Sequence, residues 1–170
     1  MRCLAACALT LTTAMAFAQV RDFGSWVYYQ VPAEGSEPPL FVVESEQPVR
    51  GVAVIYSCKR DIDAARESLL LLNPGFRDMP QGKTFDVLFT FGGDQQRGYA
   101  DATLTADAEH GTLDVNAGLL RVLEHMQQYR TFIVTQKDAT ESPITEVAIP
   151  LDGFGAAYAF SRERCDPSLP

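Results

Sequence analysis

The sequence predicts a mainly β domain: an antiparallel β-sandwich or partly open barrel of about eight short strands with two short helices. Two observations predict this fold class. Most apolar and β-branched residues fall in short runs that are separated by turn residues, and one of these runs alternates cleanly between apolar and polar positions. Two segments, both in the second half of the chain, place apolar residues clearly at helical spacing.

The first half of the chain contains the less regular strands. Residues 49–58 are apolar on both faces, which is typical of a central strand. Residues 59–72 fit either a helix or a strand, but four consecutive leucines stand directly before the turn residues Asn73, Pro74 and Gly75 and favour a buried strand. The predicted strands of this half are residues 25–31, 40–44, 49–58 and 69–72.

The second half contains the clearest strand, residues 84–91. Its alternating apolar side chains are Phe85, Val87, Phe89 and Phe91. The glycines at 92 and 93 turn the chain into a returning strand, and a later hairpin is expected across the polar loop 137–143. The predicted strands of this half are residues 84–91, 99–105, 112–115, 131–135 and 146–151.

Both predicted helices follow polar residues that can cap them. Asn116 is expected to cap the first helix, and Asp152 is expected to open the second. The apolar stripe of the first helix is Leu119, Leu120, Leu123 and Met126. The buried face of the second helix is Phe154, Ala157, Tyr158, Ser161 and Cys165. If this face packs on the sheet, Cys165 comes close to Cys58 at the end of the central strand.

The N-terminus has the three-part pattern of a secretory signal peptide. Arg2 precedes a short apolar run, and Ala16-Phe17-Ala18 forms a small-x-small cleavage site. We therefore expect residues 1–18 to be removed and residues 19–170 to form a single β-rich domain, periplasmic or secreted. The mature chain keeps two cysteines, Cys58 and Cys165, and an oxidising compartment favours one structural disulfide between them over a redox or metal pair.

The charge of the chain limits its partners. Loss of Arg2 with the signal leaves 13 basic and 22 acidic residues, a formal charge of −9. Nucleic acids and anionic membrane surfaces need a positive face, so neither is expected as a partner. The apolar run of the signal is too short to cross a bilayer, and no membrane anchor is expected. An unknown protein partner or a cell-envelope component remains.

No catalytic group is predicted. His110 precedes a glycine in a turn and His125 should face away from the helix stripe, so both are expected to be solvated. The nucleophile motif of serine hydrolases is absent, and acid pairs of the glycosidase kind cannot be recognised by spacing. The group Asp61, Asp63 and Glu67 lacks the calcium-loop pattern, so no metal is expected. No cofactor is expected either, since Gly153-Phe154-Gly155 lacks the setting of a phosphate-binding loop.

Aromatic side chains are the remaining binding candidates. Trp26, Tyr28, Tyr29 and Tyr99 can line a ligand or partner surface. The alternative is that Trp26 and Tyr28 only cover the core.

Four features of the chain occur together: the signal peptide, the early Trp26, the strand end Val54-Ile55-Tyr56-Ser57-Cys58 and the closing residues 149–154 that lead to Cys165. In these features the chain resembles the invasion-associated locus B family of small exported bacterial proteins. The family usually has further cysteines soon after the early tryptophan, whereas residues 28–46 of this chain contain none. The resemblance implies a periplasmic or secreted β-rich protein and carries over no active site.

These observations favour a non-enzymatic exported binding or accessory protein. Two alternatives stay open. The acidic charge suits an inhibitor of a basic exported enzyme such as a lysozyme, and the many acids leave room for a carboxylate-dependent hydrolase.

Overall fold

Ten antiparallel strands form one open sheet in the part of the chain that the structure describes. The structure is a computed structural model, and it describes residues 19–170 except 36, 61–64, 138–146 and 167–170. The predicted signal peptide therefore lies outside the described residues. The strands are β1 (Arg21–Phe23), β2 (Trp26–Val31), β3 (Leu40–Ser45), β4 (Ala53–Arg60), β5 (Ala65–Leu72), β6 (Thr84–Gly92), β7 (Arg97–Asp107), β8 (Thr112–Ala117), β9 (Thr131–Gln136) and β10 (Ala148–Pro150).

The mainly β fold class is confirmed, and the sheet is larger than expected. One added strand is β1, which pairs with β2 across a tight turn and is too short to show a periodic pattern. The uncertain segment before Asn73 is a strand, as the leucine run predicts. The hairpin of β9 and β10 is confirmed by their antiparallel pairing, although most of its predicted loop lies outside the described residues.

The sheet consists of two leaves. The first leaf is β1–β5 in chain order, and the second is β8-β7-β6-β9-β10. The leaves join through only three residue pairs, Leu70–Leu72 of β5 with Thr112–Asp114 of β8. At the other side β2 approaches β10, since the Trp26 indole donates a hydrogen bond to the Pro150 carbonyl over 3.1 Å. The leaves therefore face each other across a shared core.

The core contains the alternating apolar side chains of both leaves. The predicted face of β6, from Phe85 to Phe91, is buried. On β4, Val54, Tyr56 and Cys58 are completely buried on the same side as one another. The clean alternation of β6 therefore predicted which of its sides faces inward.

Helix α1 (Leu119–Met126) begins differently from the prediction. Asn116 is an exposed residue of β8 and does not cap it. The cap position is taken by Gly118 with φ 81°, where a β-carbon would lie 2.3 Å from the Asp101 carbonyl oxygen. Leu120, predicted in the apolar stripe, is 68% exposed, and Val122 is buried in its place. The helix therefore has no side-chain cap, and the close approach of β7 requires glycine at the cap position.

Helix α2 (Phe154–Cys165) confirms its predicted face. Its buried residues are Phe154, Ala157, Tyr158, Ser161 and Cys165. The cap is Gly153, not Asp152, and a β-carbon there would lie 1.8 Å from the Phe23 carbonyl oxygen. The disulfide between Cys58 and Cys165 is present, with Cα atoms 6.1 Å apart, and it ties the last turn of α2 to β4.

Candidate functional site

An apolar cavity of about 250 Å³ lies between the two leaves at one end of the molecule. Both leaves contribute to its walls, so the site exists only when the sheet has folded over. The wall residues are Val52, Leu71, Phe76, Phe132, Val134, Val147 and Ile149, and the other lining residues are Arg50, Asn73 and Gly75.

Three strands, β5, β9 and β10, form the cavity walls with the side chains that point to the buried side of the sheet. Phe132 and Val134 lie two positions apart on β9, so both point to the buried side. Ile149 of β10 is paired with Phe132 and shares that side. Leu71 of β5 supplies the facing wall from the first leaf. Because these side chains are aliphatic or aromatic, the interior favours an apolar occupant.

A short 3-10 helix, Pro74–Asp78, closes one side of the cavity with Phe76, which is buried. Asn73 caps this helix, since its Oδ1 accepts a hydrogen bond from the Gly75 amide over 2.8 Å. The same side chain donates from Nδ2 to the Gly51 carbonyl over 3.1 Å. Asn73 therefore joins two separate segments of the cavity rim.

The turn that carries Arg50 is unusual. Val49 and Val52 exchange two backbone hydrogen bonds of 3.0 Å, which leaves Arg50 and Gly51 as a two-residue turn. Both have positive φ, 51° and 80°, as in the hairpin turns that favour Asn and Gly. Arg50 is the non-glycine residue with positive φ among the described residues, and this conformation costs roughly 1 kcal/mol for an L-residue.

The electrostatics of the cavity depend on Arg50. It is the one charged residue among the described residues that line the cavity, and its side chain is exposed. The remaining polar lining groups belong to Asn73 and the backbone near Gly75. The site thus combines an apolar interior with a permanent positive charge, because a guanidinium does not lose its proton in proteins.

A second polar cluster lies under α2. Tyr56 and Tyr158 both donate their hydroxyl protons to Oε1 of Glu67, over 2.7 and 3.1 Å. Arg162 donates to the Tyr158 hydroxyl and lies 3.6 Å from Glu67. Burial raises the pKa of Tyr56 above its ordinary value, and the hydrogen bond to Glu67 raises it further. The cluster keeps both phenols protonated and holds α2 on the first leaf.

The predicted aromatic candidates are placed differently from one another. Trp26 and Tyr28 are completely buried and pack on Phe154 and Phe160 of α2. They therefore cover the core, as the alternative prediction states. Tyr29 donates its hydroxyl to Glu44 over 3.0 Å. Tyr99 is 49% exposed and does not line the cavity. None of the four belongs to the cavity as described.

The two histidines also differ. His110 is exposed and hydrogen-bonded to Asp107 over 2.7 Å, and this bond raises the pKa of His110. His125 is only partly exposed, which differs from the prediction that it is solvated. Its ring lies edge-on to Phe91, with centroids 5.1 Å apart, and Nδ1 is buried with no hydrogen-bond partner in the described structure. Strand β6 of the second leaf therefore contacts α1 at His125, outside the predicted leucine stripe.

The predicted acid group is only partly described, since Asp61 and Asp63 lie outside the described residues. Glu67 belongs to the tyrosine cluster. Within the described ranges, no three His, Cys, Asp or Glu residues form a group suited to a metal ion. No helix in these ranges is both long and apolar enough to span a membrane.

Comparison of the chain with protein-family models, with curated proteins and with solved structures finds no match. The resemblance to the invasion-associated locus B family therefore stays a prediction. The cavity was missed by sequence reasoning, because its walls come from residues far apart in the chain. The one local signal was Arg50-Gly51 between two valines. The predicted strand 49–58 included these residues, whereas they form a turn in the structure and β4 begins at Ala53.

Proposed function

We propose that this chain is an exported, non-enzymatic binding protein that holds a small apolar molecule between its two leaves. The single observation that carries the proposal is the cavity between Leu71 and Phe132. The signal-peptide pattern of residues 1–18 and the buried disulfide support export, because disulfides persist in oxidising compartments.

The cavity has the composition of a binding site. Ligand pockets are mostly apolar with a few polar groups that fix orientation, and this lining has seven apolar side chains. The described lining residues include no acid, histidine, serine or cysteine. A role in binding is therefore better supported than either a serine-type or a carboxylate-type reaction at this site.

The volume limits the ligand. A dry apolar cavity of roughly 150 Å³ accepts benzene, whereas drug-sized ligands occupy roughly 300 to 1,000 Å³. At about 250 Å³, the cavity suits a single ring or a short acyl chain. A full-length lipid chain does not fit without displacement of a wall.

Methyl NMR of the disulfide-bonded domain tests this proposal. Toluene and hexanamide are titrated separately, and the methyl signals of Val52, Leu71 and Ile149 are followed. We expect saturable shifts that are concentrated on these wall residues. An absence of shifts with every ligand tested, or equal shifts across both leaves, would contradict the proposal.

Two matched variants place the response in the cavity. Val52→Phe puts a larger side chain at a partly exposed wall position and should abolish the shifts. Val31→Phe makes the same change at the exposed end of β2, outside the cavity, and should leave them intact. Circular dichroism of both variants confirms that each is folded before titration.

A further inference from the structure

We infer that the natural ligand of the cavity is a small amphipathic carboxylate, with its apolar part between the leaves and its carboxylate on Arg50. This inference rests on the proposed function and names the chemical class of the ligand. It depends on three properties of Arg50: its position, its backbone conformation and the chemistry of its side chain.

The position of Arg50 makes the cavity amphipathic. The walls between Leu71 and Phe132 are apolar, while Arg50 is the exposed, charged member of the described lining. A ligand with one apolar and one anionic part matches both features. A neutral apolar ligand matches only the walls, and a fully polar anion matches only the arginine.

The net negative charge of the protein strengthens the argument that Arg50 binds the anionic part of the ligand. The full chain has a formal charge of −8, so its long-range field repels anions. A carboxylate is therefore retained only where a specific cation faces it at short range. Arg50 is placed to do this at the rim of the cavity, where the apolar walls hold the other end of the ligand.

The backbone of Arg50 indicates that its side chain has a purpose beyond the turn. Positive φ is favoured by Gly, Asn and Asp, and the second turn position already holds Gly51. An arginine in this conformation is strained, and strained residues concentrate at functional sites. Asn would adopt the backbone conformation of this turn with less strain than Arg. The feature that arginine adds at this position is therefore its guanidinium group.

The guanidinium chemistry favours a planar anion. Arginine presents five N–H donors in a fork that can bind a carboxylate through two parallel hydrogen bonds. Several donors allow Arg50 to bind an anion alongside other contacts of its side chain. Asn73 holds the adjacent Gly51 carbonyl over 3.1 Å, and this bond limits the movement of the turn that presents the arginine.

The test compares hexanoate with hexanamide, which have nearly the same shape but differ in charge. Dissociation constants are measured by methyl NMR on the wild-type domain and on Arg50→Gln and Arg50→Lys. We expect wild type to bind hexanoate about tenfold or more tightly than hexanamide. Arg50→Gln should weaken hexanoate binding about tenfold more than hexanamide binding, which removes that preference. Arg50→Lys should keep part of the preference, because it keeps the charge but not the fork.

Each outcome has a defined meaning. Equal affinity of the wild type for both ligands overturns the inference and leaves the proposed function standing. Equal weakening of both ligands by Arg50→Gln also overturns it, because the arginine would then only shape the cavity. Failure of hexanoate, hexanamide and toluene to bind the wild type overturns the proposed function itself, whereas binding of toluene alone overturns only the inference. Circular dichroism and thermal melting show that each variant is folded.

Discussion

The side-chain amide of Asn73 donates a hydrogen bond to the backbone carbonyl of Gly51, over 3.1 Å and across 22 positions of the chain. Its oxygen accepts from the Gly75 amide over 2.8 Å. One side chain therefore joins the Arg50-Gly51 turn to the 3-10 helix that closes the cavity. Changes at Asn73 should affect both the stability of the fold and the cavity.

Asn73→Ala is expected to lower the free energy of unfolding by about 1 to 2 kcal/mol, because it removes a cap and a second hydrogen bond. Asn73→Asp keeps the acceptor for Gly75 but loses the donor to Gly51, so its loss should be smaller. Urea unfolding followed by tryptophan fluorescence measures both variants. Equal stability of Asn73→Ala and wild type would show that the bridge contributes nothing.

Arg50→Asn is expected to raise the free energy of unfolding by roughly 0.5 to 1 kcal/mol, because Asn adopts positive φ more readily than Arg. The same variant should lose the preference for hexanoate, so stability and anion binding change in opposite directions. Arg50→Lys is the matched control, because lysine shares the backbone strain. A less stable Arg50→Asn in urea unfolding would mean that side-chain contacts of Arg50 outweigh the strain.

Cleavage of the Cys58–Cys165 disulfide should lower stability substantially. The bond spans 107 positions, and the chain-entropy account assigns such a loop roughly 4 to 5 kcal/mol as an upper value. Both cysteines are buried, so the folded protein should resist reduction until it unfolds. Guanidinium unfolding with and without reductant measures the loss, and a Cys58→Ala/Cys165→Ala double variant provides the comparison. Rapid reduction without denaturant would contradict the buried position of the bond.

Stability should fall at alkaline pH because of the tyrosines beside Glu67. A tyrosine in the unfolded chain loses its proton near pH 10, whereas burial raises the pKa of Tyr56 and Tyr158 in the fold. Unfolding above pH 10 therefore releases protons, so this contribution is complete below pH 10 and is lost as the pH rises further.

Urea midpoints measured between about pH 8 and about pH 11 test this pH dependence. We expect a decline toward the alkaline end that is shallower in Tyr56→Phe, which removes one of the titrating phenols. A constant midpoint in the wild type, or an identical decline in Tyr56→Phe, would contradict the assignment of the decline to this cluster.

Local patterns predicted those parts of the fold that depend on local periodicity. The alternation from Phe85 to Phe91 identified a strand and its buried face. The helical spacing from Phe154 to Cys165 identified the buried face of α2, and it placed Cys165 toward Cys58. In each case a repeating pattern of apolar residues was sufficient, because burial of one face determines the periodicity.

The remaining features depend on contacts between distant segments. The cap residue of α1 is a glycine, Gly118, because the Asp101 backbone leaves no room for a β-carbon, and no local pattern shows this. The His125 ring packs against Phe91 and Tyr129. Phe91 lies on β6, far from α1 in sequence. The cavity is lined by residues as distant in sequence as Leu71 and Ile149, so it could not be predicted without knowing that the two leaves face each other.

The most direct test is a crystal structure of the disulfide-bonded domain with bound 6-bromohexanoate, in which anomalous scattering locates the bromine. We expect a bromine peak between Leu71 and Phe132, with the carboxylate on the Arg50 guanidinium. A crystal that shows the cavity without bromine, or bromine only at other surfaces, would contradict the proposal that this cavity binds the ligand.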